Sequence, residues 1–138
     1  MIPSGKRNVL MDSIKSKFKI INFSEKLIQL RVWEKSHLPI EQSALALDLF
    51  LVIAHNTLRD QPLTLKQLFN SVDFSEAGIR KHLKRFLEEG WCSLEGSAKD
   101  KRLRHVVAQA KMLAALDRYT EAMRKTVESL DKEDANTA

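Results

Sequence analysis

Apolar residues recur at helical spacing through the first part of the chain. Leu10, Ile14, Phe18 and Ile21 are three or four positions apart, which is the period of one face of an α-helix. The same spacing resumes after residue 22. Residues 9–38 are therefore predicted to form one or two amphipathic helices.

The next apolar segment is denser and starts at a proline. Pro39 suits the first turn of a helix, where its missing N–H costs no hydrogen bond. Residues 40–58 are almost entirely apolar except for Glu41, Asp48 and His55, which lie seven positions apart on one stripe. Because the most apolar segment, residues 44–54, is interrupted by Asp48 and is far shorter than the roughly 20 residues of a membrane span, it is interpreted as a core helix.

Two helix-start signals follow in close succession. Thr64 and Gln67 fit a capping box, in which two side chains satisfy free backbone donors at the start of a helix. A short helix from there reaches about Ser71, and Asp73 or Ser75 caps the next one. The order is helix, short turn, helix, which is the pattern of a helix-turn-helix motif.

The second helix of this pair precedes a short β-hairpin. Ile79, Leu83 and Phe86 form its apolar side, and Gly90 ends it, because glycine is favoured just past a helix C-terminus. Residues 91–94 and 103–107 are predicted as two short strands around a polar, basic loop. A helix without breakers is predicted for residues 108–130.

The two ends of the chain differ in composition from the rest. Residues 1–8 mix Pro, Ser and Gly with charges, and residues 131–138 are acidic. Such segments bury too little apolar surface to become ordered. A flexible N-terminal arm over residues 1–8 and a disordered acidic tail over residues 131–138 are predicted.

The overall composition is that of one basic domain. Lys and Arg number 23 against 18 Asp and Glu, and the formal net charge is +5, which permits a polyanionic partner. The lone Cys92 excludes an internal disulfide, and no signal-peptide pattern is present, so a cytoplasmic location is expected. Because Cys92 lies in a predicted strand without a second cysteine, we interpret it as a small core residue and not as a redox sensor.

Signals for catalysis are missing from the sequence. The histidines at positions 37, 55, 82 and 105 do not have the spacing of metal ligands. No glycine-rich phosphate loop and no nucleophile with an adjacent base are found. The chain is therefore expected not to be an enzyme and to need no cofactor or metal.

The outer side of the second helix of the pair carries candidate DNA-binding chemistry. Near its start the side chains are small or absent, so backbone could approach base edges, and cations further along could meet phosphates. The candidates on the two helices are Thr64, Ser75, Ala77, Gly78, Arg80, Lys81, Lys84 and Arg85. The hairpin loop adds Lys99, Asp100, Lys101, Arg102 and Arg104. The alternative is a solvated basic face on an ordinary surface helix.

Two segments resemble the MarR family of winged-helix regulators. LTLKQLFNSVDFSEAGIRKHLKRFLEEGW, residues 63–91, is similar to its helix-turn-helix, and KDKRLRHVV, residues 99–107, to its wing. In that family a wing motif of Asp, any residue, Arg places the arginine at the DNA minor groove and the aspartate holds it; Asp100 and Arg102 match those positions. Ala108-Gln109 replaces the family's usual Leu-Thr and the wing loop is not glycine-rich, so the chain resembles a divergent member.

The resemblance also implies a homodimer formed by interlocking N- and C-terminal helices, residues 9–38 and 108–130. The candidate dimerisation residues are Leu10, Ile14, Phe18, Met112, Leu116, Tyr119, Met123 and Leu130. The alternative for the C-terminal seam is packing within one chain, and a mixture of both also fits the pattern.

Together these patterns predict a mainly α chain with a small β-wing: a winged helix-turn-helix over residues 39–107 between two dimerisation helices. The expected function is sequence-specific binding of double-stranded DNA by a transcriptional regulator, a dimeric repressor that docks residues 75–85 into major grooves of an inverted-repeat operator. The alternative is a winged-helix protein–protein interaction module that does not bind DNA. The expected partners are DNA and a second copy of the chain; a small-molecule effector is left open, and no membrane is expected.

Overall fold

Five helices and three short strands make up the described part of the chain. The computed structural model describes the backbone of residues 4–100 and 102–137 and the side-chain surroundings of residues 9–100 and 102–132. In chain order the elements are α1 (Ser4–His37), α2 (Ala44–Leu58), β1 (Leu63–Thr64), α3 (Leu65–Ser71), α4 (Glu76–Glu88), β2 (Cys92–Gly96), β3 (Arg104–Ala108) and α5 (Ala110–Thr137). The prediction of a mainly α chain with a small β-wing is confirmed.

The elements divide into two compact units. The head unit contains residues 34–120, and the helical unit contains the described residues among 1–33 and 121–138. The head unit therefore holds the helix-turn-helix and the hairpin. The helical unit consists of most of α1 and the second half of α5.

Helix α2 forms the centre of the head unit and packs against α4 and β3. Its buried residues are Leu45, Ala46, Leu47, Leu49, Phe50, Ile53 and Ala54, and they surround more than one side of the helix. Ser43 caps its start by accepting a hydrogen bond from the Ala46 N–H at 3.2 Å. In the described part of the chain no helix combines the length and the apolar character that a membrane crossing requires.

The prediction that Pro39 lies in the first turn of α2 is wrong. The helix begins only at Ala44, because Pro39 is followed by a turn in which the Ser43 N–H donates to the Ile40 carbonyl oxygen at 2.8 Å. The helix start is therefore determined by the hydroxyl cap of Ser43.

The helix-turn-helix forms from the local signals in the sequence. Thr64 and Gln67 make both halves of the predicted capping box at the start of α3. Ser75 caps α4 by accepting from the Gly78 N–H at 3.2 Å. Gly90 follows α4 with φ at 79°, a left-handed conformation that costs glycine little.

The three strands form an antiparallel sheet in the order β1-β3-β2. Val106 in the central strand pairs with Leu63 on one side and Leu94 on the other. Its side chain is fully buried, so the sheet is attached to the core of the head unit. Strand β1 is not predicted by the sequence, because two residues are too few for a period of two to show.

Helices α1 and α5 are longer than predicted. Helix α1 is a single helix from Ser4, and helix α5 continues to Thr137. Both helices therefore extend into the segments predicted as a flexible arm and a disordered tail, and the flexibility of those segments stays a prediction. Residues 1–3 and 138 lie outside the described residues. Helices α1 and α5 extend this far because Gly and Pro are absent between residues 6 and 38 and after residue 96. A helix that has started gains a hydrogen bond with each added residue.

Candidate nucleic-acid interface

Helix α4 has a buried side and an exposed side. Its buried side is formed by Ile79, Leu83 and Phe86, as the sequence predicts. Ala77, Lys81 and Lys84 are exposed. Because each helical residue turns by about 100°, these positions lie on the side of the helix opposite to Ile79. These three candidates thus lie on the outer side of α4.

Arg80 is also exposed but is held by its neighbours. Its Nη2 and Nε donate to Oε1 of Glu76 at 2.7 and 3.1 Å. Its guanidinium lies over the Phe69 ring of α3, 4.7 Å from the centroid. Arg80 therefore belongs to a Phe69–Arg80–Glu76 cluster at the start of α4, and its orientation is fixed by two neighbours.

Gly78 packs against α2, and its predicted role as a backbone contact to bases stays a prediction. A Cβ at this position would lie 2.8 Å from Cδ1 of Leu45 and 3.2 Å from Oγ of Ser75. The first distance is shorter than carbon atoms tolerate, so a larger residue here would have to displace the end of the Leu45 side chain. The small residue that remains on the outer side is Ala77.

Arg85 is turned away from the outer side, which corrects its prediction as a DNA contact. Its side chain is only 17% exposed, and Nη2 donates to the carbonyl oxygen of Pro39 at 2.6 Å. Nη1 donates to Glu89 at 3.3 Å. Nε lies 3.5 Å from the Glu41 carboxylate, within ion-pair distance, but makes no hydrogen bond. The reason is that α4 passes the turn after α1 here, and that turn offers Arg85 a carbonyl acceptor.

The turn that Arg85 contacts has an unfavourable backbone conformation. Glu41 and Gln42 have φ values of 46° and 59°. A side-chain Cβ disfavours this left-handed region by about 1–2 kcal/mol per residue. The contacts of Arg85 therefore connect α4 to a turn whose backbone conformation is unfavourable.

His82 of α4 lies beside the same turn. Its Nε2 is 3.4 Å from Oγ of Ser43. Because that oxygen already accepts from the Ala46 N–H, its hydroxyl hydrogen is free to donate to a neutral imidazole. Burial lowers the pKa of His82, and the charges of Arg85 and Lys81 lower it further against the opposite effect of Glu41.

Thr64 and Ser75 act as caps. The Thr64 hydroxyl accepts from the Gln67 N–H at 3.2 Å, and the Thr64 N–H donates to Oε1 of Gln67 at 2.9 Å. Ser75 performs the same role for α4. Their immediate role is therefore to start α3 and α4 at defined residues, and a contact to DNA stays a prediction.

The hairpin loop between β2 and β3 carries the second basic group. Asp100 Oδ1 accepts from the backbone N–H of Arg102 at 2.9 Å, so the aspartate fixes the backbone that carries the arginine. Lys99, Arg102 and Arg104 are exposed. Lys101 lies outside the described residues. The described cations of the loop are thus accessible to a polyanion.

The candidate dimerisation residues fall into two groups. Leu10, Ile14, Phe18 and Met123 are exposed, and Leu116, Tyr119 and Leu130 are half-buried. Met112 is fully buried, which corrects its prediction as an interface residue: it belongs to the core of the head unit. Tyr119 donates its hydroxyl hydrogen to the buried Glu34 at 2.6 Å. The first part of the α5 seam therefore packs within the chain, and the exposed apolar residues lie on α1 and further along α5.

Cys92 is buried in β2 opposite Ala108 of β3. Burial raises the pKa of its thiol to about 12. Its interpretation as a small core residue agrees with this position, because a reactive thiol needs exposure and a stabilised thiolate.

We expect the Cys92 thiol to be alkylated very slowly by iodoacetamide in the native protein at pH 8. With a pKa of about 12, roughly 1 thiol in 10,000 is ionised at that pH, and the thiolate is the nucleophile. Mass spectrometry over time measures the reaction, with the protein in guanidinium chloride as the rapidly labelled control. Complete native labelling at the rate of the denatured control would contradict the expectation.

Two residues near the start of α4 are missed by the sequence analysis. Phe74 in the turn before the helix and Glu76 at its first position are both exposed. The position of Glu76 directly after a cap, four residues before Arg80, is a usable signal, because acidic residues are favoured there and pair at this spacing. In the described part of the chain, no group of three or more His, Cys, Asp or Glu side chains is arranged to hold a metal ion.

Comparisons with solved structures find relatives of the same architecture. A mutant of MarR from E. coli matches with a TM-score of 0.57 and 17% identity, covering 96% of this chain and 85% of that one. The transcriptional regulator Tm0710 from Thermotoga maritima matches with 0.57 and 14%, covering 89% and 79%. MepR of S. aureus, solved as a complex with DNA, matches with 0.56 and 13%, covering 95% and 93%.

Comparisons based on sequence give no match. The scan against protein-family models finds none. The search of curated proteins finds none either. At the identities seen among the solved structures the likeness establishes the fold alone, and the chain therefore has the winged-helix fold of the MarR-family transcriptional regulators.

Proposed function

We propose that the protein is a cytoplasmic transcriptional regulator that binds double-stranded DNA as a homodimer. Helix α4 enters the major groove with its outer side, and the hairpin loop contacts the flanking backbone or minor groove. Two copies related by a two-fold axis read an inverted repeat, and occupation of a promoter then represses transcription. The observation that carries the proposal is the pair of exposed basic groups, on α4 and on the hairpin loop, within one winged-helix head unit.

The outer side of α4 supports base contact at one end and phosphate contact at the other. Ala77 near the helix start is small and exposed, so the helix can approach base edges closely. Lys81 lies one turn further along and Lys84 another. The only ion pair of Lys84 in the described part of the chain is a loose one to Glu88 at 3.9 Å, which a phosphate can replace because exposed pairs are worth little.

The hairpin loop supports a second contact. The Asp100 carboxylate fixes the backbone at Arg102, and the Arg102 side chain is exposed. A guanidinium held on a short loop suits a narrow minor groove, where the negative potential is enhanced. MepR of S. aureus, a structure of the same fold, was solved bound to DNA, which adds support for this use of the fold.

The exposed apolar residues of α1 support the homodimer. A two-fold interface places the same surface of each copy against the other, so one apolar helix face can cover its own counterpart. A continuous row of exposed apolar side chains marks an interaction site in soluble proteins. The helical unit is therefore proposed to join two head units.

The proposal predicts salt-dependent binding to duplex DNA that two substitutions weaken differently. Arg102→Ala should weaken specific and random duplexes together and make the salt slope shallower by about 0.9 for each phosphate that is no longer neutralised. Lys81→Ala should weaken binding mainly at the selected site, by about 1–3 kcal/mol for each base that the lysine recognises. Fluorescence anisotropy between 50 and 200 mM salt, roughly the range in which such binding changes most, measures both.

Two results decide between this function and the alternative. Binding that does not change with salt, or no binding to duplex DNA, would contradict the proposal and favour a protein–protein interaction module. Wild-type affinity in both variants would show that α4 and the hairpin loop are not the DNA surface. Unchanged thermal unfolding of the variants is the control, because neither side chain belongs to the core.

A further inference from the structure

We propose that Glu76 reads a cytosine in the major groove, with Arg80 as the residue that positions it. In this arrangement Oε1 of Glu76 is held by Arg80, and Oε2 accepts a hydrogen bond from the N4 amino group of the base. The inference rests on the proposed function, since it requires that α4 lies in the major groove. It adds an acidic residue that determines specificity to a surface whose other proposed contacts on α4 are the small Ala77 and the cations Lys81 and Lys84.

The position of Glu76 places its carboxylate where a recognition helix meets bases. It is the first residue of α4, directly after the cap Ser75. Its side chain is 61% exposed, so the carboxylate reaches solvent in the free protein. In winged helix-turn-helix proteins of this geometry the first turns of the second helix contact the base edges.

The hydrogen bonds of Glu76 leave one oxygen available. Both donors from Arg80, Nη2 at 2.7 Å and Nε at 3.1 Å, go to the same atom, Oε1. Among the described residues, no hydrogen bond to Oε2 is found. Because the Arg80 guanidinium is itself held over the Phe69 ring, the carboxylate has a defined direction before any ligand arrives. A group with a fixed orientation loses little entropy on binding.

The chemistry of the free oxygen selects one base. A carboxylate accepts hydrogen bonds and donates none. In the major groove guanine presents only acceptors, thymine an acceptor and a methyl group, and adenine an acceptor beside its donor, whereas cytosine presents its N4 donor without an acceptor of its own. The Glu76 oxygen is therefore repelled by guanine, thymine and the N7 of adenine, and is satisfied by cytosine.

The charge of Glu76 explains why such a residue gives specificity at the expense of affinity. A carboxylate near phosphates weakens binding to every duplex, and only a duplex with cytosine at the right position compensates for this repulsion. Repulsion of wrong partners is a general way to obtain specificity. On this basis, removal of the charge should tighten binding to random duplex DNA.

Glu76→Gln tests the inference, with Glu88→Gln as the matched control. Glu88 lies on the same helix, is 65% exposed and pairs with Lys84 at the same four-residue spacing, so the control makes the same charge change away from the helix start. Each protein is used to select sequences from a random duplex pool. The wild type is expected to select a C·G pair at one position of each half-site.

In Glu76→Gln the preference at that one position should fall roughly 10- to 100-fold and move toward adenine, because an amide pairs with the adenine edge. The other positions should be retained, and Glu88→Gln should select the wild-type sequence. Affinity of Glu76→Gln for random duplex should rise. Arg80→Gln should reduce the preference at the same base pair, which a purely structural role of Arg80 would not do.

The outcomes separate this inference from the proposed function. If Glu76→Gln selects the wild-type sequence at every position, Glu76 only stabilises the helix start and the inference is overturned. The same conclusion follows if the position that changes does not carry cytosine in the wild-type site. If the wild type enriches no sequence and binds random duplex without salt dependence, the proposed function fails and the inference fails with it.

Discussion

Replacement of Phe18 and Ile28 by glutamate together is expected to convert a dimer into a monomer. The two side chains are 60% and 64% exposed in the single chain, and they lie on one stripe of α1. That stripe continues at spacings of three, four and seven through Met11, Ile14, Phe18, Ile21, Ile28 and Val32. Such a repeat is typical of a helix that packs along another helix.

The expected size of the effect follows from the area that becomes covered. Burial of a large apolar side chain stabilises by about 1.5–3 kcal/mol. Because these side chains are only 60% and 64% exposed before association, two of them on each of two copies contribute roughly 4–7 kcal/mol, and the smaller figure corresponds to about a 10³-fold weaker association. Charges buried in the seam without partners would weaken it further.

Light scattering at micromolar concentration measures the change. The double variant should have a mass near 15.8 kDa, and the wild type twice that value. Lys19→Glu is the matched control, since it adds negative charge to the exposed surface of α1 but removes no apolar surface. A wild-type mass of 15.8 kDa, or a double variant that stays dimeric, would show that this stripe is not the dimer interface.

The helix-turn-helix could be predicted from the sequence because its signals are local. Thr64 with Gln67 and Ser75 with the Gly78 N–H each form a cap within four residues, and Gly90 marks the end of α4 through its own φ angle. The alternation of buried and exposed positions on α4 depends only on the helical period. Neither feature requires knowledge of a distant residue.

The roles of Gly78 and Arg85 could not be predicted, because they depend on contacts far away in the sequence. Arg85 donates to Pro39, which precedes it by 46 positions. Gly78 is small because Leu45 of α2 packs against it. A helical wheel assigns both residues to faces but does not say which other element covers each face. The wheel therefore groups the basic residues of α4 into one surface, although Arg85 contacts the turn after α1.

A different limit applies at the ends of α1 and α5. Composition indicates disorder in residues 1–8 and 131–138, but it does not express how an existing helix extends. On α5, Arg124 pairs with Glu121 and Glu128, and such pairs stabilise the exposed part of the helix that precedes residues 131–137. Fold class, motif order and the capped ends of α3 and α4 are thus readable from local patterns, whereas the outer ends of α1 and α5 and the inward-facing Arg85 are not.

Arg85→Ala is expected to destabilise the head unit, whereas Lys84→Ala, one residue earlier, is not. Removal of the guanidinium leaves the Pro39 carbonyl without its donor at 2.6 Å and removes the contact between α4 and the turn that contains Glu41. A hydrogen bond from a charged group contributes about 1.5–3 kcal/mol, which lowers the melting temperature of a domain of this size by roughly 5–15 °C. The ion pairs to Glu41 and Glu89 add little, because both carboxylates are exposed and screened by solvent.

The pKa of His82 gives a second readout of the same substitution. Burial and the charge of Arg85 both lower that pKa in the wild type, so removal of the guanidinium should raise it toward its ordinary value, while Lys84→Ala should leave it unchanged. Thermal unfolding and an NMR titration of the imidazole measure the two effects. Arg85→Ala could instead leave the melting temperature and the His82 pKa unchanged and make the salt dependence of DNA binding shallower. That result would show that Arg85 contacts DNA and that the turn after α1 does not hold α4 in place.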